Sequence, residues 1–298
     1  MSLSSTADLA VRLERLIARD VGRRGIAPLA AAATGGLARA GAALDEARAV
    51  TILTGFYIPA ANPPAAENDG PIGAAFLAAA LRARGVPVRM VTDRACAPVV
   101  EAAVAAAGLG DACPVSAVAV DALASGEALE AITAKHDAAP PSHVVAIERC
   151  GPTRDGTPRN LRGEDISPHT APLERLFTPP AYRIAVGDGG NELGMGSLPA
   201  ELIAANIRHG DVVACRVPAD ALVVAGVSNW GGAALALLVG GAAVTDRVNA
   251  AEHDRLLEAV AAAGAVDGIR RTVSLSVDDL DAAVHRELMD ALVAEVRA

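Results

Sequence analysis

Five carboxylates stand out before any element is assigned: Glu67, Asp69, Glu148, Asp188 and Glu192. Each lies in a loop that follows a run of β-branched residues, among Gly, Pro or Arg, where a plain connection requires no acid. Acids in such places can bind a hard cation, carry protons or hold an amine.

The segment Tyr57 to Pro71 runs for 15 residues without helical or strand period and contains four prolines. Structureless loops longer than about 12–15 residues are usually functional or disordered, and proline fixes φ, so a shaped loop is expected. Its Glu67 and Asp69 precede a helix near Ile72, where they can also serve as simple caps. A second loop, Ile147 to Asn160, places Glu148 directly after an apolar strand. It adds Arg149, Arg154, Arg159 and Asn160, groups suited to gripping a carboxylate or to a surface ion-pair network.

A third loop, Val186 to Gly196, packs five glycines into ten residues around Asp188, Asn191 and Glu192. The backbone there must turn tightly or approach a ligand closely. The dinucleotide template G-x-G-x-x-G fails because Glu192 occupies its third glycine position, so no nucleotide cofactor is expected. In the fourth loop, Val224 to Ala233, Ser228 and Asn229 stand before Gly231-Gly232 at a helix start, a natural site for an anion. Trp230, the single indole, either walls a pocket or packs in the core.

No nucleophile triad is visible. Ser228 lacks a G-x-S-x-G elbow and the six histidines are scattered, none in an H-x-x-x-H pair, so they receive no role. If the four loops meet, their oxygen ligands without His or Cys select Mg²⁺ or Mn²⁺, with Ca²⁺ also compatible, over zinc.

The elements that must position these loops follow from periodicity. Strands are expected at Val50 to Thr54, Pro87 to Thr92, His143 to Ile147, Arg183 to Val186, Val212 to Val217 and Leu222 to Ala225. Helices are expected near 8–19, 28–44 (interrupted or ended near Gly35-Gly36), 73–84, 97–107, 127–135, 199–207, 231–239, 251–263 and 279–296. Apolar strands alternating with helices predict an α/β fold with a layered, mostly parallel central sheet flanked by helices and an N-terminal helical extension. One domain is expected over 1–298, with the extension at 1–45 and the α/β core with C-terminal helices at 46–298.

Composition narrows the partners. The 298 residues are 52% hydrophobic but only 2% aromatic, with net charge −9 and one lysine, Lys135. A nucleic-acid binder needs a basic footprint and stacking rings, so neither nucleic acid nor a membrane is an expected partner. Four unpatterned cysteines and an N-terminus without a basic and apolar leader fit a cytoplasmic protein. A homo-oligomer is compatible with all of this.

Thr54 to Pro59, Glu67 to Pro71, Ala146 to Gly151, Gly187 to Gly196, Arg208 to Asp211, Ala225 to Gly232 and Ala263 to Gly268 together resemble the D-glutamate cyclase-like C-terminal domain family. The likeness extends from about Leu13 to the last helix. It implies an enzyme of the hydro-lyase type that cyclises D-glutamate to 5-oxo-D-proline with loss of water. It also implies a divalent-cation protein with an acidic cavity. For that chemistry Glu67, Asp69 and Glu148 are the candidate catalytic acids, and Glu148, Asp188 and Glu192 the candidate metal ligands. Arg159, Asn160, Asn191, Ser228 and Asn229 are the candidate holders of a small acidic substrate. The competing expectations are a Mg²⁺- or Mn²⁺-dependent, phosphatase-like hydrolase and a non-catalytic metabolite-binding protein.

Overall fold

A computed structural model describes residues 3–120 and 140–298; the helix expected at 127–135 lies outside them. Three helices lead the chain: α1 (Leu3–Ile17), α2 (Ala27–Ala32) and α3 (Gly36–Asp45). β1 (Val50–Thr54) follows, then the short antiparallel pair β2 (Tyr57–Ile58) and β3 (Ala65–Ala66), which gives the proline-rich loop its shape. Next come α4 (Pro71–Ala83), β4 (Val88–Asp93), α5 (Ala97–Ala106), β5 (Val115–Val118), β6 (His143–Ile147) and β7 (Tyr182–Gly187). The chain continues through α6 (Ala200–Asn206), α7 (Gly210–Val213), β8 (Ala221–Val224), α8 (Ser228–Gly240) and α9 (Ala250–Ala262). A hairpin of β9 (Ser276–Val277) and β10 (Leu280–Asp281) leads into α10 (Ala282–Arg297).

Six strands form one sheet in the order β5-β4-β1-β6-β7-β8, every neighbouring pair parallel. In chain order this is 3-2-1-4-5-6, the doubly wound arrangement, whose direction of winding reverses between β1 and β6. Ligands of such sheets bind beyond the carboxyl ends of the strands at that reversal. Because the strands are parallel, the loops after β1, β6, β7 and β8 leave the sheet at one edge.

Side chains alternate between the sheet's faces, and both faces are covered, which is why the strands read as continuous apolar runs. Ile52, Val145, Ile184, Val186 and Val223 join one core cluster, which includes buried residues of α1, α3, α4, α5 and α8 to α10. Leu53, Val91, Val144, Ala185 and Val224 join another, with Leu29, Phe177 and Ile203. Each fully buried Leu or Ile in such a layer contributes about 1.5–3 kcal/mol.

The crossing of α4 and α8 sets the position of their first turns. A Cβ on Gly232 would lie 2.6 Å from the Gly73 backbone, and one on Gly73 2.9 Å from Cα of Asn229, so both positions must be glycine for the helices to approach this closely. The two N-termini also cap each other. Asp69 accepts N–H bonds from Ser228 (2.9 Å) and Asn229 (2.8 Å), while the Asn229 side chain accepts from Gly70 (2.9 Å) and Gly73 (2.8 Å). Each carboxylate or amide oxygen satisfies donors that a helix leaves unpaired.

Two strand expectations need correction. Val212 to Val217 is not a strand: Gly210–Val213 forms α7, and the chain then runs on without regular structure against the third loop. Of its β-branched residues Val213 serves that packing and is buried, whereas Val212 is exposed. The strand Val115–Val118 was not anticipated. It is a short edge strand exposed at Ala117, so its apolar signal is interrupted. Among the described residues, no helix is long and apolar enough to cross a membrane.

Candidate active site

The four loops meet. Glu148 follows β6 and Asp188 follows β7, while Glu67 and Asp69 are carried in by β3 and α4, and Ser228 opens α8. A cavity of about 730 Å³ opens there, with Glu67, Glu148, Asp188 and Asp278 among its lining residues. Ligand oxygens of Glu148, Asp188 and Glu192 lie within 4.8 Å of one another, as do those of Asp69, Asp188 and Asp278. All six acids are buried.

The glycine-rich loop wraps its own acid. A Cβ on Gly187 would stand 2.9 Å from Cδ of Glu192 and one on Gly189 3.1 Å from its Oε1, so side chains there would expel the carboxylate. Freed of them, the backbone N–H groups of Asp188 (2.9 Å) and Gly189 (2.6 Å) donate to Glu192 Oε1. Glu192 Oε2 is buried and has no hydrogen-bond partner among the described residues.

Sequence reasoning missed two members of the site. Arg24, from the turn between α1 and α2, donates to Asp188 (2.6 Å), Asp278 (3.1 Å) and the Gly226 carbonyl (2.9 Å). Asp278 sits with Asp279 at the tip of the β9–β10 hairpin, both with positive φ, as a two-residue hairpin turn demands. Arg24 lies outside the strand-end loops, and Asp278 directly precedes the helix expected at 279–296. The available signals were Gly22-Arg23-Arg24-Gly25 and an Asp-Asp pair between apolar residues.

Six non-glycine residues among those described have φ in the left-handed region, and four of them, Arg23, Glu148, His209 and Asp278, line this cavity. Such conformations cost about 1–3 kcal/mol each and gather where the surrounding structure fixes them for function.

Electrostatics follow from burial. Burial raises the pKa of Glu67, Asp69, Glu148 and Asp188, and neighbouring carboxylates raise each of them further. Burial likewise pushes Asp278 up to about 8, against the pull of Arg24. Backbone N–H groups of Asn229 and Ser228 oppose the shift at Asp69, and Arg24 opposes it at Asp188. Burial disfavours the charge on Arg24, but Asp188 and Asp278 outweigh it and keep the guanidinium firmly protonated. One arginine thus faces six buried acids, so the cluster must hold protons or admit another cation.

The remaining expected residues have different surroundings. Ser228 Oγ donates to Glu148 at 2.6 Å. Asn229 is occupied in capping α4. Asn160 and Asn191 line the cavity but shape loops: Asn160 bonds Glu164 and the Arg162 N–H, and Asn191 donates to the Arg159 carbonyl. Arg159 is bonded within its own loop to Asp155 and the Gly163 carbonyl. Arg149 is buried in an ion pair with Asp93, tying the end of β4 to the loop after β6. Trp230 packs in the core and donates to His285 at 2.9 Å. Arginines do reach the cavity, but from other positions: Arg23, Arg162 and Arg208.

A family model described as D-glutamate cyclase-like, C-terminal, matches residues 13–293. The human protein named D-glutamate cyclase, mitochondrial, is 41% identical over 236 residues, which are 75% of this chain and 37% of the human protein. The match therefore spans little more than a third of that relative's length.

Proposed function

Because the chain belongs to the D-glutamate cyclase-like, C-terminal family, we propose that its acid-lined cavity closes glutamate into a lactam, taking D-glutamate to 5-oxo-D-proline and water. The observation that carries this reading is one cavity combining buried acids of raised pKa with three arginines, Arg23, Arg162 and Arg208, whose guanidinium groups have no hydrogen-bond or ion-pair partner among the described residues. The human relative's name supplies the activity; the acids and arginines of this chain supply a chemistry for it.

The reaction joins the α-nitrogen to the carbon of the γ-carboxyl group and breaks one C–O bond of that group. The ammonium loses two protons, and these leave with the departing oxygen as water. A proton carrier that works near neutrality is therefore needed. Glu67 suits that role: it lines the cavity, and burial with the charges of Asp278, Asp69 and Asp188 lifts its pKa well above the usual carboxylate value. Asp69 suits it less, because both its oxygens already accept backbone N–H groups.

The γ-carboxylate resists attack until its charge is neutralised. With no cation bound, Glu148, raised by burial and by Asp188 and Glu192 and held by Ser228 Oγ, can present a proton to it; with one bound, it is a ligand instead. The oxygen-only set of Glu148, Asp188 and Glu192, with the unpartnered Oε2 of Glu192, fits a hard cation. A Mg²⁺ or Mn²⁺ held there would supply Lewis-acid charge to the γ-carboxylate when bound. The rim arginines face the substrate's α-carboxylate.

The test is incubation with D- or L-glutamate, with Mn²⁺ or a chelator, and chiral chromatography for 5-oxoproline. Product from the D-isomer, lowered by the chelator, is expected. No product from either isomer in the presence of metal overturns the proposal.

A further inference from the structure

The cavity exceeds its proposed occupant. Its volume is about 730 Å³, within the range that takes drug-sized ligands, whereas glutamate has only about ten non-hydrogen atoms. Its acids are buried, while Arg23 and Arg208 are exposed and Arg162 half-buried, so cationic groups occupy the solvent side.

These arginines come from three separate segments: the α1–α2 turn, the loop after β6 and the α6–α7 turn. None has a hydrogen-bond or ion-pair partner for its guanidinium among the described residues. Arg162 is half-buried and feels the like charges of Arg271 and Arg208, with Glu164 and Glu67 pulling the other way. Unpaired like charges repel one another, and an anion between them relieves that cost. Free glutamate leaves one carboxylate for the mouth once its γ-carboxyl group enters the acidic floor.

We propose that the arginine-lined mouth is a subsite for an anionic group beyond the glutamyl moiety, and that the preferred substrates are γ-glutamyl peptides ending in a carboxylate. This rests on the reading that the acidic floor cyclises a glutamyl group. The α-nitrogen bonds the γ-carbonyl carbon and the γ-amide C–N bond breaks. The two protons lost by the α-ammonium end on the departing amine, and no water is consumed or released. An uncharged amide is a better electrophile than a carboxylate, and protonated acids in the floor suit an amine leaving group.

The full chain with Mn²⁺ is given D-glutamate, γ-D-glutamylglycine or γ-D-glutamylglycinamide, and kcat/KM for 5-oxo-D-proline is measured. The peptide acid should exceed both other substrates by about tenfold or more. In an Arg162→Ala/Arg208→Ala variant the preference for acid over amide should fall to near unity, a ratio that partial misfolding does not change. Equal rates for acid and amide, or free D-glutamate as the best substrate, overturn the subsite while leaving the cyclase reading intact. No product from any of the three overturns both.

Discussion

At the residue scale, the site is defined by what its carboxyl groups can reach. Glu192 has one oxygen held by two N–H groups and the other buried without a partner among the described residues. Glu192→Gln retains the shape and removes the charge, so Mn²⁺ affinity measured by calorimetry should fall by on the order of 10–100-fold or more. Asp278 titrates at about 8 in the fold, against an ordinary value of 3.8. A folded value above the unfolded one means that stability is present at low pH and lost as pH rises from about 4 through 8. The metal-free protein should therefore melt at a lower temperature at pH 8.5 than at pH 6.5, and Asp278→Asn should flatten that slope.

At the element scale, two small devices hold the acids in place. Asn229 caps α4 through Gly70 and Gly73, so Asn229→Ala should lower unfolding stability by about 1–2 kcal/mol in a denaturant titration. The β9–β10 hairpin that carries Asp278 is tied down by His285, which accepts from Trp230 and bonds the Leu280 carbonyl. Burial and the neighbouring His253 lower the His285 pKa from 6.5 to about 4. A depressed folded value gives stability that is lost as pH falls from 6.5 through 4, roughly 3 kcal/mol at about 1.4 kcal/mol per unit. His285→Gln should lose less stability over that window than the wild type when the two are melted side by side. Much at this scale was legible in the sequence, because strands buried on both faces are continuous apolar runs: Val50–Thr54 and His143–Ile147 match the expected strands at both ends. The α7 region misled because Val212 and Val213 carry β-propensity that tertiary packing overrode.

At the scale of the molecule, the order 3-2-1-4-5-6 explains why strand-end acids as far apart in sequence as Glu67 and Asp188 line one cavity. Periodicity identifies strands but not their neighbours, so the convergence of loops was an inference from parallelism that the sheet order now gives a location. Arg24 and Asp278 differ for a related reason: they reach the site from an N-terminal turn and a separate hairpin, not from the carboxyl end of a strand of the six-stranded sheet. Their presence joins the first and last helices to the edge of the sheet that carries the candidate site, so occupancy of the site should stabilise the whole chain. Mn²⁺ at about 100 times its Kd should add about 2.7 kcal/mol, visible as a rise of several degrees in Tm that a chelator reverses.

The most direct test of the central claim compares the wild type with Glu67→Gln on D-glutamate and Mn²⁺, following 5-oxo-D-proline. Glutamine preserves the shape of the one floor acid that faces the cavity without a hydrogen bond from the described residues. Loss of the proton carrier should reduce kcat by about 10²–10⁴-fold, with an unchanged circular-dichroism spectrum. A folded Glu67→Gln protein that forms product at the wild-type rate would contradict the account.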